Sequence, residues 1–310
     1  MFLICGEALY DVFPLAETAT GFTLDARIGG SPFNVAVGLS RLARPVAFFT
    51  GLSSDPLGRR LERALAAEGI DTDYLVRKHN PTTLAVVGLT AAGVPHYTFY
   101  GHEAADRAVT RADLPALPEA VTGLHFGSFS VMVGDTAESF LALARKHAAT
   151  RLISYDPNVR LNVEPDVAQW RARVEEISAI ADMMKVSDED LDLLFPGDEV
   201  ESAVSRWHSR GVRLVVVTRG AEGALASLGG ESFQLPGRKV ETVDTVGAGD
   251  TFQAALLCGL EELGKASKPG LAALTSDECR RLVGFAIQAA AVTCTRRGAD
   301  LPRRGELPAL

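Results

Sequence analysis

Short apolar runs alternate with longer amphipathic stretches along most of this chain. Phe2–Cys5 (FLIC) is uniformly apolar and stops at Gly6, as a strand buried on both faces would. Segments 9–14 and 22–28 are mixed and suit small antiparallel strands. GGSPFNVAVGLSRLA then predicts a helix, with Ser31 as its N-cap, Pro32 at its first position and Val35, Leu39 and Leu42 on one face. Val46–Gly51 reads as a strand, and LGRRLERALAAEGI as an amphipathic helix closed by Gly69. TLAVVGLT and PHYTFY, joined through Ala91-Ala92-Gly93-Val94, read as a β-hairpin.

From about 120 onward the alternation is regular. GLHFGS precedes a helix at 135–148, RLISYD one at 166–180, and ADMMKVS one at 188–194. A helix at 200–210 leads into the strand Leu214–Thr218, QAALLCGLEEL (253–263) is helical, and a long helix spans about 276–295. Such βαβ units predict an α/β fold with a mostly parallel sheet covered on both faces. The strands near 9–28 and 82–101 fall outside that scheme and predict a small sheet acting as a lid.

The chain has 310 residues, 47% hydrophobic and 23% charged, which suits one large domain or two unequal ones; a single domain over 1–310 is expected. Its net charge of -8 repels phosphate backbones and anionic lipid, so nucleic acid and membranes are not expected partners. Cys5, Cys258, Cys279 and Cys294 contain no CxxC pair and predict buried reduced thiols. MFLICGEALYDVF lacks a basic leader and no stretch reaches about 18 apolar residues, so a cytoplasmic location is expected. None of the six histidines shows metal-ligand spacing, and Trp170 and Trp207 read as packing residues.

DTVGAGDTF (244–252) is rich in residues that disfavour helices and strands, yet a helix follows at once. The amides of Gly247, Ala248, Gly249 and Asp250 can converge before that helix, forming an anion hole strengthened by its dipole. A carboxylate repels phosphate, so Asp250 must serve some other purpose there. Accepting the proton of a hydroxyl that attacks phosphorus is one that fits. Taken alone, the stretch reads equally as a Gly-rich turn with Asp250 as N-cap. Gly29-Gly30 opening a helix with Asn34 in its first turn is a second such site, suited to sugar hydroxyls.

Together, in this order, the two motifs resemble the signature regions of the ribokinase-like (PfkB) carbohydrate kinases. GEALYD, DPNVR (156–160), KVSDEDL (185–191), TRGAEGA (218–224) and TRRGA (295–299) extend the resemblance over the whole chain. FYGHEAADRAVT, DPNVRLN and CTRRGADLP resemble bacterial fructokinases in particular. The resemblance implies a three-layer αβα ribokinase-like fold with a β-sheet lid. It implies Asp250 as catalytic base with Gly247, Ala248 and Gly249 as anion-hole amides, and sugar contacts at Asp11, Gly29, Gly30, Asn34, Tyr100 and Arg160. ATP is expected at Lys185, Ser187, Thr218, Gly220, Gly223 and Gly249.

Members often carry Asn-x-x-Glu where this chain has Ser187-Asp188-Glu189-Asp190. Only Asp190 retains the carboxylate, so Mg²⁺ is expected to come with ATP and to be held through water. A monovalent cation such as K⁺ is implied near Asp244, Val246, Thr293 and Gly298. Keto-deoxy-gluconate kinases resemble the chain too, but usually place an Arg after the aromatic pair of the second lid strand. Here Phe99-Tyr100 is followed by Gly101, which favours a neutral ketohexose, fructose, giving fructose 6-phosphate. The other readings are 2-keto-3-deoxygluconate, ribose or a nucleoside as acceptor, or a non-catalytic sugar- or nucleotide-binding relative. Exposed lid strands suit a homodimer, and a monomer is the alternative.

Overall fold

The computed structural model describes residues 1–89 and 95–310. Its strands are β1 (Phe2–Cys5), β2 (Leu9–Thr18), β3 (Gly21–Gly29), β4 (Val46–Phe49), β5 (Gly51–Ser53), β6 (Val76–Lys78), β7 (Leu84–Leu89), β8 (Pro95–Tyr100), β9 (Gly123–Gly127), β10 (Leu152–Asp156), β11 (Met183–Ser187), β12 (Leu214–Thr218), β13 (Ala224–Leu228) and β14 (Glu231–Leu235). The helices are α1 (Ser31–Arg41), α2 (Pro56–Ala67), α3 (Gly134–His147), α4 (Val167–Ser178), α5 (Asp188–Leu194), α6 (Val200–Ser209), α7 (Ala248–Glu262), α8 (Lys268–Ala272) and α9 (Ser276–Cys294).

Eight strands make the main sheet in the order β14-β13-β12-β11-β10-β9-β1-β4. From β4 to β12 every pairing is parallel, while β13 and β14 close one edge as an antiparallel hairpin. Alternation along β1 shows why the architecture has three layers. Phe2 and Ile4 pack with residues of α1, α7 and α9 on one face. Leu3 and Cys5 pack with residues of α3, α4 and α6 on the other. Trp170 and Trp207 are fully buried in that second layer. Each face must be covered because a strand with no polar side has none to offer solvent.

A second sheet, in the order β3-β2-β7-β8, stands over one end of the first. The Ala91-Ala92-Gly93-Val94 crossing between its last two strands lies outside the described residues. Leu15, Phe22, Leu24 and Tyr100 of this lid are exposed.

Several elements differ from the expectation. Ser31 does not cap α1: Gly30 holds that position with φ 107, and Ser31 is already helical. The Val46–Gly51 strand breaks at Thr50, and β5 leaves the main sheet to pair with β6. The hairpin β13–β14 is not foreseen from the sequence, because its strands are short and carry turn-like residues.

Most consequentially, α7 starts at Ala248, not Gln253. Gly247 turns the chain at φ 78, and the helix begins at once. Poor helix propensity of Gly and Asp loses to position here, since a carboxylate in the first turn is stabilised by the helix dipole. Cys5, Cys258 and Cys279 are buried free thiols and Cys294 is half-buried. No helix among the described residues is long and apolar enough to cross a membrane.

Candidate active site

Side chains following the C-terminal ends of neighbouring parallel strands meet in one cleft of about 510 Å³. Glu7 follows β1, Ser128 and Phe129 follow β9, Asn158 and Arg160 follow β10, Lys185 lies mid-way along β11 and Ser187 ends it. Open α/β sheets gather ligands at these ends, where loops diverge. The first turns of α1 and α7 form one wall, through Ser31, Asn34, Gly249 and Asp250. Leu9 and Asp11 of β2 and Tyr97 and Phe99 of β8 supply the lid side.

Asp250 of α7 is held by the first turn of α1 beside it in the same wall. Ser31 Oγ donates to its Oδ1 at 2.6 Å, and Asn34 Nδ2 donates to its Oδ2 at 2.8 Å. Burial pushes its carboxyl above the usual range, while the Ser31 and Asn34 hydrogen bonds and the nearby Lys185 charge pull it back. A carboxylate raised toward neutrality is a better proton acceptor and remains ionisable.

Beside it, the Gly247, Gly249 and Asp250 amides have no partner among the described residues. The Ala248 N–H donates instead to Thr245 O at 3.2 Å, which removes it from the expected anion hole. Gly30 is required at its position, since a Cβ there would lie 2.6 Å from Glu7 O. Gly29 leaves space for Asp11: its Cβ would lie 2.2 Å from Asp11 Oδ2.

Lys185 is 5% exposed and pairs with Asp156 at 2.7 Å, which excludes a solvated surface lysine. Asp190 accepts from Val159 N–H at 3.1 Å, and burial raises its carboxyl to about 6. Asp11 is likewise raised to about 6, chiefly by burial, with Arg160 opposing. Arg160 enters no ion pair among the described residues and donates to Val159 O at 2.9 Å. Glu7, wholly buried, is raised to about 7 by burial.

Other expected residues fall elsewhere. Tyr100 is 63% exposed and does not line the cleft. Strand alternation places Tyr97 and Phe99 toward the cleft and their neighbour Tyr100 away from it. Thr218 pairs beside Ser187 one strand over, and Thr218, Gly220 and Gly223 lie outside the cleft lining. Gly223, at φ 100, has a packing reason of its own, because a Cβ would lie 2.1 Å from Leu235 O.

Asp244 braces two segments, accepting from Val246 N–H at 3.1 Å and from Gly298 N–H at 2.8 Å. Thr293 is buried and bonds Thr251 Oγ1 at 2.8 Å. No cluster of three or more His, Cys, Asp or Glu suited to a metal occurs among the described residues.

Glu7, Ser31, Tyr97, Phe99 and Asp156 do not stand out as site residues in the sequence. For Glu7 and Asp156 the available signal was a carboxylate at the C-terminal end of a buried strand. For Tyr97 and Phe99 it was the period of two along β8. Nothing local marks Ser31, because its partner is 219 residues away.

The pfkB family carbohydrate kinase profile matches residues 2–304. This chain belongs to that family. A PfkB kinase is a sugar phosphotransferase. The fructokinase of Rhizobium leguminosarum bv. trifolii is 38% identical over 280 residues, covering 90% of this chain and 86% of its own. That of Klebsiella pneumoniae is 33% identical over 98% of this chain and 97% of its own. Among solved structures, the ATP-bound fructokinase of Xylella fastidiosa superposes with a TM-score of 0.89 at 27% identity, covering 98% of this chain and 96% of its own. A fructokinase double mutant from Vibrio cholerae O395, with fructose, ADP and potassium bound, superposes at 0.84 and 27%, with the same coverage. This PfkB kinase therefore shares the ribokinase-like fold throughout its length.

Proposed function

We propose that this PfkB kinase transfers the γ-phosphoryl group of ATP to the primary 6-hydroxyl of D-fructose, with Asp250 as general base. The observation that carries the reading is Asp250 itself, held by two donors beside free helix-terminal amides under an aromatic lid. As the sugar oxygen bonds to phosphorus, its proton passes to Asp250 and the bond to the ADP oxygen breaks. The Gly247, Gly249 and Asp250 amides and the Lys185 ammonium receive the negative charge on the moving group. Asp11 and Asn34 hold sugar hydroxyls, while Tyr97 and Phe99 keep water from competing with the sugar. The nucleotide extends from Lys185 and Ser187 over the ends of β11 and β12, toward Thr218 and Gly220.

Mg²⁺ is carried in with the nucleotide. Asp190 fits an indirect role, because one of its oxygens is already engaged by Val159 and no metal-ligating cluster occurs among the described residues. Bound there, Mg²⁺ would neutralise charge on the phosphates. Backbone carbonyls around Val246 and Gly298 would hold K⁺, with Asp244 bracing that loop and Thr293 turned to Thr251. The exposed Leu15, Phe22, Leu24 and Tyr100 suit a homodimer through the lid, and the buried thiols suit the cytoplasm.

One observation favours an acidic sugar such as 2-keto-3-deoxygluconate: Arg160 lines the cleft with no ion pair among the described residues. Asp11, close enough to feel its charge, offsets it. Coupled ADP release across fructose, 2-keto-3-deoxygluconate, ribose and nucleosides tests the choice. Fructose is expected to give the highest kcat/KM. Preference for the acid would overturn the sugar assignment, and no ADP with any acceptor would overturn catalysis.

A further inference from the structure

Ser31 is the first residue of α1, yet it does nothing for that helix. Gly30 holds the cap position, and the Ser31 side chain makes no capping bond. Alanine is the better helix former, so local structure does not ask for a hydroxyl here. Its hydroxyl instead donates to Asp250 Oδ1 on the neighbouring helix at 2.6 Å, within the short range typical of O–H donation to a carboxylate. Asn34, one turn later on the same face, donates to the other oxygen at 2.8 Å. Two donors from one turn of α1 thus grip both oxygens of a carboxylate carried by α7.

We infer that Ser31 is a positioning residue for the base: its hydroxyl fixes the plane of the Asp250 carboxylate and favours its ionised form. The inference rests on the reading of Asp250 as base. Each carboxylate oxygen keeps a lone pair for the sugar hydroxyl, and the plane set by Ser31 and Asn34 decides where that lone pair points. The other charged groups facing Asp250 are Lys185 from β11, Asp156 from the end of β10, and Asp11 of β2 with Arg160 beside it. Lys185 favours the ionised base, whereas Asp156 opposes it. Asp11 and Asp250 repel each other. Ser31 and Asn34 are the neutral donors in this balance.

The test compares Ser31→Ala, Ser31→Thr and the wild type by kcat across pH at saturating sugar and ATP. Losing the donor raises the pKa of the base, so the acid limb of Ser31→Ala should move to higher pH by about one unit. Below the limb its kcat should fall about tenfold and above it should recover most of the wild-type value. KM for the sugar should stay within about twofold, because Ser31 acts through Asp250. Ser31→Thr, which keeps the hydroxyl, should restore the wild-type limb. An unmoved limb, an equal loss at every pH, or a raised KM with intact kcat would each overturn the inference. An Asp250→Asn variant with intact kcat would sink the reading of the base and this inference with it. Loss of kcat in Asp250→Asn with an unmoved Ser31→Ala limb would sink the inference alone.

Discussion

Lys185 Nζ lies 2.7 Å from Asp156 Oδ2, and the two side chains are only 6% and 2% exposed. The ammonium also lies 3.2 Å from where a Cβ on Gly249 would be, beside the N-terminus of α7. A cation at the positive end of a helix is unfavourable unless an anion offsets it. Asp156 is that anion, and its Oδ1 has no hydrogen-bond partner among the described residues. Lysine, helix end and bare amides together make a site that favours an incoming phosphoryl group.

Replacing Lys185 with Met leaves Asp156 buried and unpaired. Breaking a buried pair in this way costs about 3–5 kcal/mol, so the denaturation midpoint should fall sharply. Asp156→Asn in the same chain should recover part of that loss but none of the kcat. Recovery of kcat in the double variant would show that Lys185 serves the fold alone.

Asp250→Asn keeps the size and polarity of the side chain but removes the proton acceptor. Turnover should fall by ~10²–10⁴-fold. Sugar affinity, measured by calorimetry, should change only a few-fold. Retained turnover would remove Asp250 from the proton path.

Two tyrosines of one lid strand separate cleft from solvent. Tyr97 lines the cleft, whereas Tyr100 is exposed on the opposite side of β8. Tyr97→Ala should raise KM for the sugar about tenfold, the loss of roughly 1.4 kcal/mol of binding. Tyr100→Ala should leave both kinetic constants near wild type. The reverse pattern would mean that the strand is turned over in the working enzyme.

Glu7 is wholly buried, accepts a hydrogen bond from Ser130 Oγ, and has its carboxyl raised by burial from 4.5 to about 7. The folded state therefore binds its proton more tightly than the unfolded state does. Stability from this group is fully present below pH 4.5 and is lost as pH rises toward 7. The total is on the order of 3 kcal/mol. Glu7→Gln, a mimic of the protonated form, should flatten that dependence, so that the variant gains on the wild type as pH rises from 4.5 through about 7. Parallel stability curves for the two proteins would mean that Glu7 stays ionised in the fold.

Much of the layered architecture is legible in periodicity, since a strand buried on both faces must be apolar throughout and a covering helix must be amphipathic. FLIC, LVVVT and the helices from 135 onward are examples. The edge hairpin β13–β14 is not, because short strands with one solvated edge leave little pattern. At the site, DTVGAGDTF and Gly29-Gly30 announce themselves, as glycines that admit a ligand to bare amides are rare outside such loops. The start of α7 does not, because dipole and position there override propensity.

Sequence alone determined the fold class, the family and the identity of the candidate base, because these rest on local composition and on motifs read within a few residues. The three-dimensional arrangement decided which lid aromatic faces the cleft, what partners Lys185, and that Ser31 holds Asp250. Those are relations between residues far apart along the chain, and a hydrogen bond or an ion pair depends on distances that only packing sets.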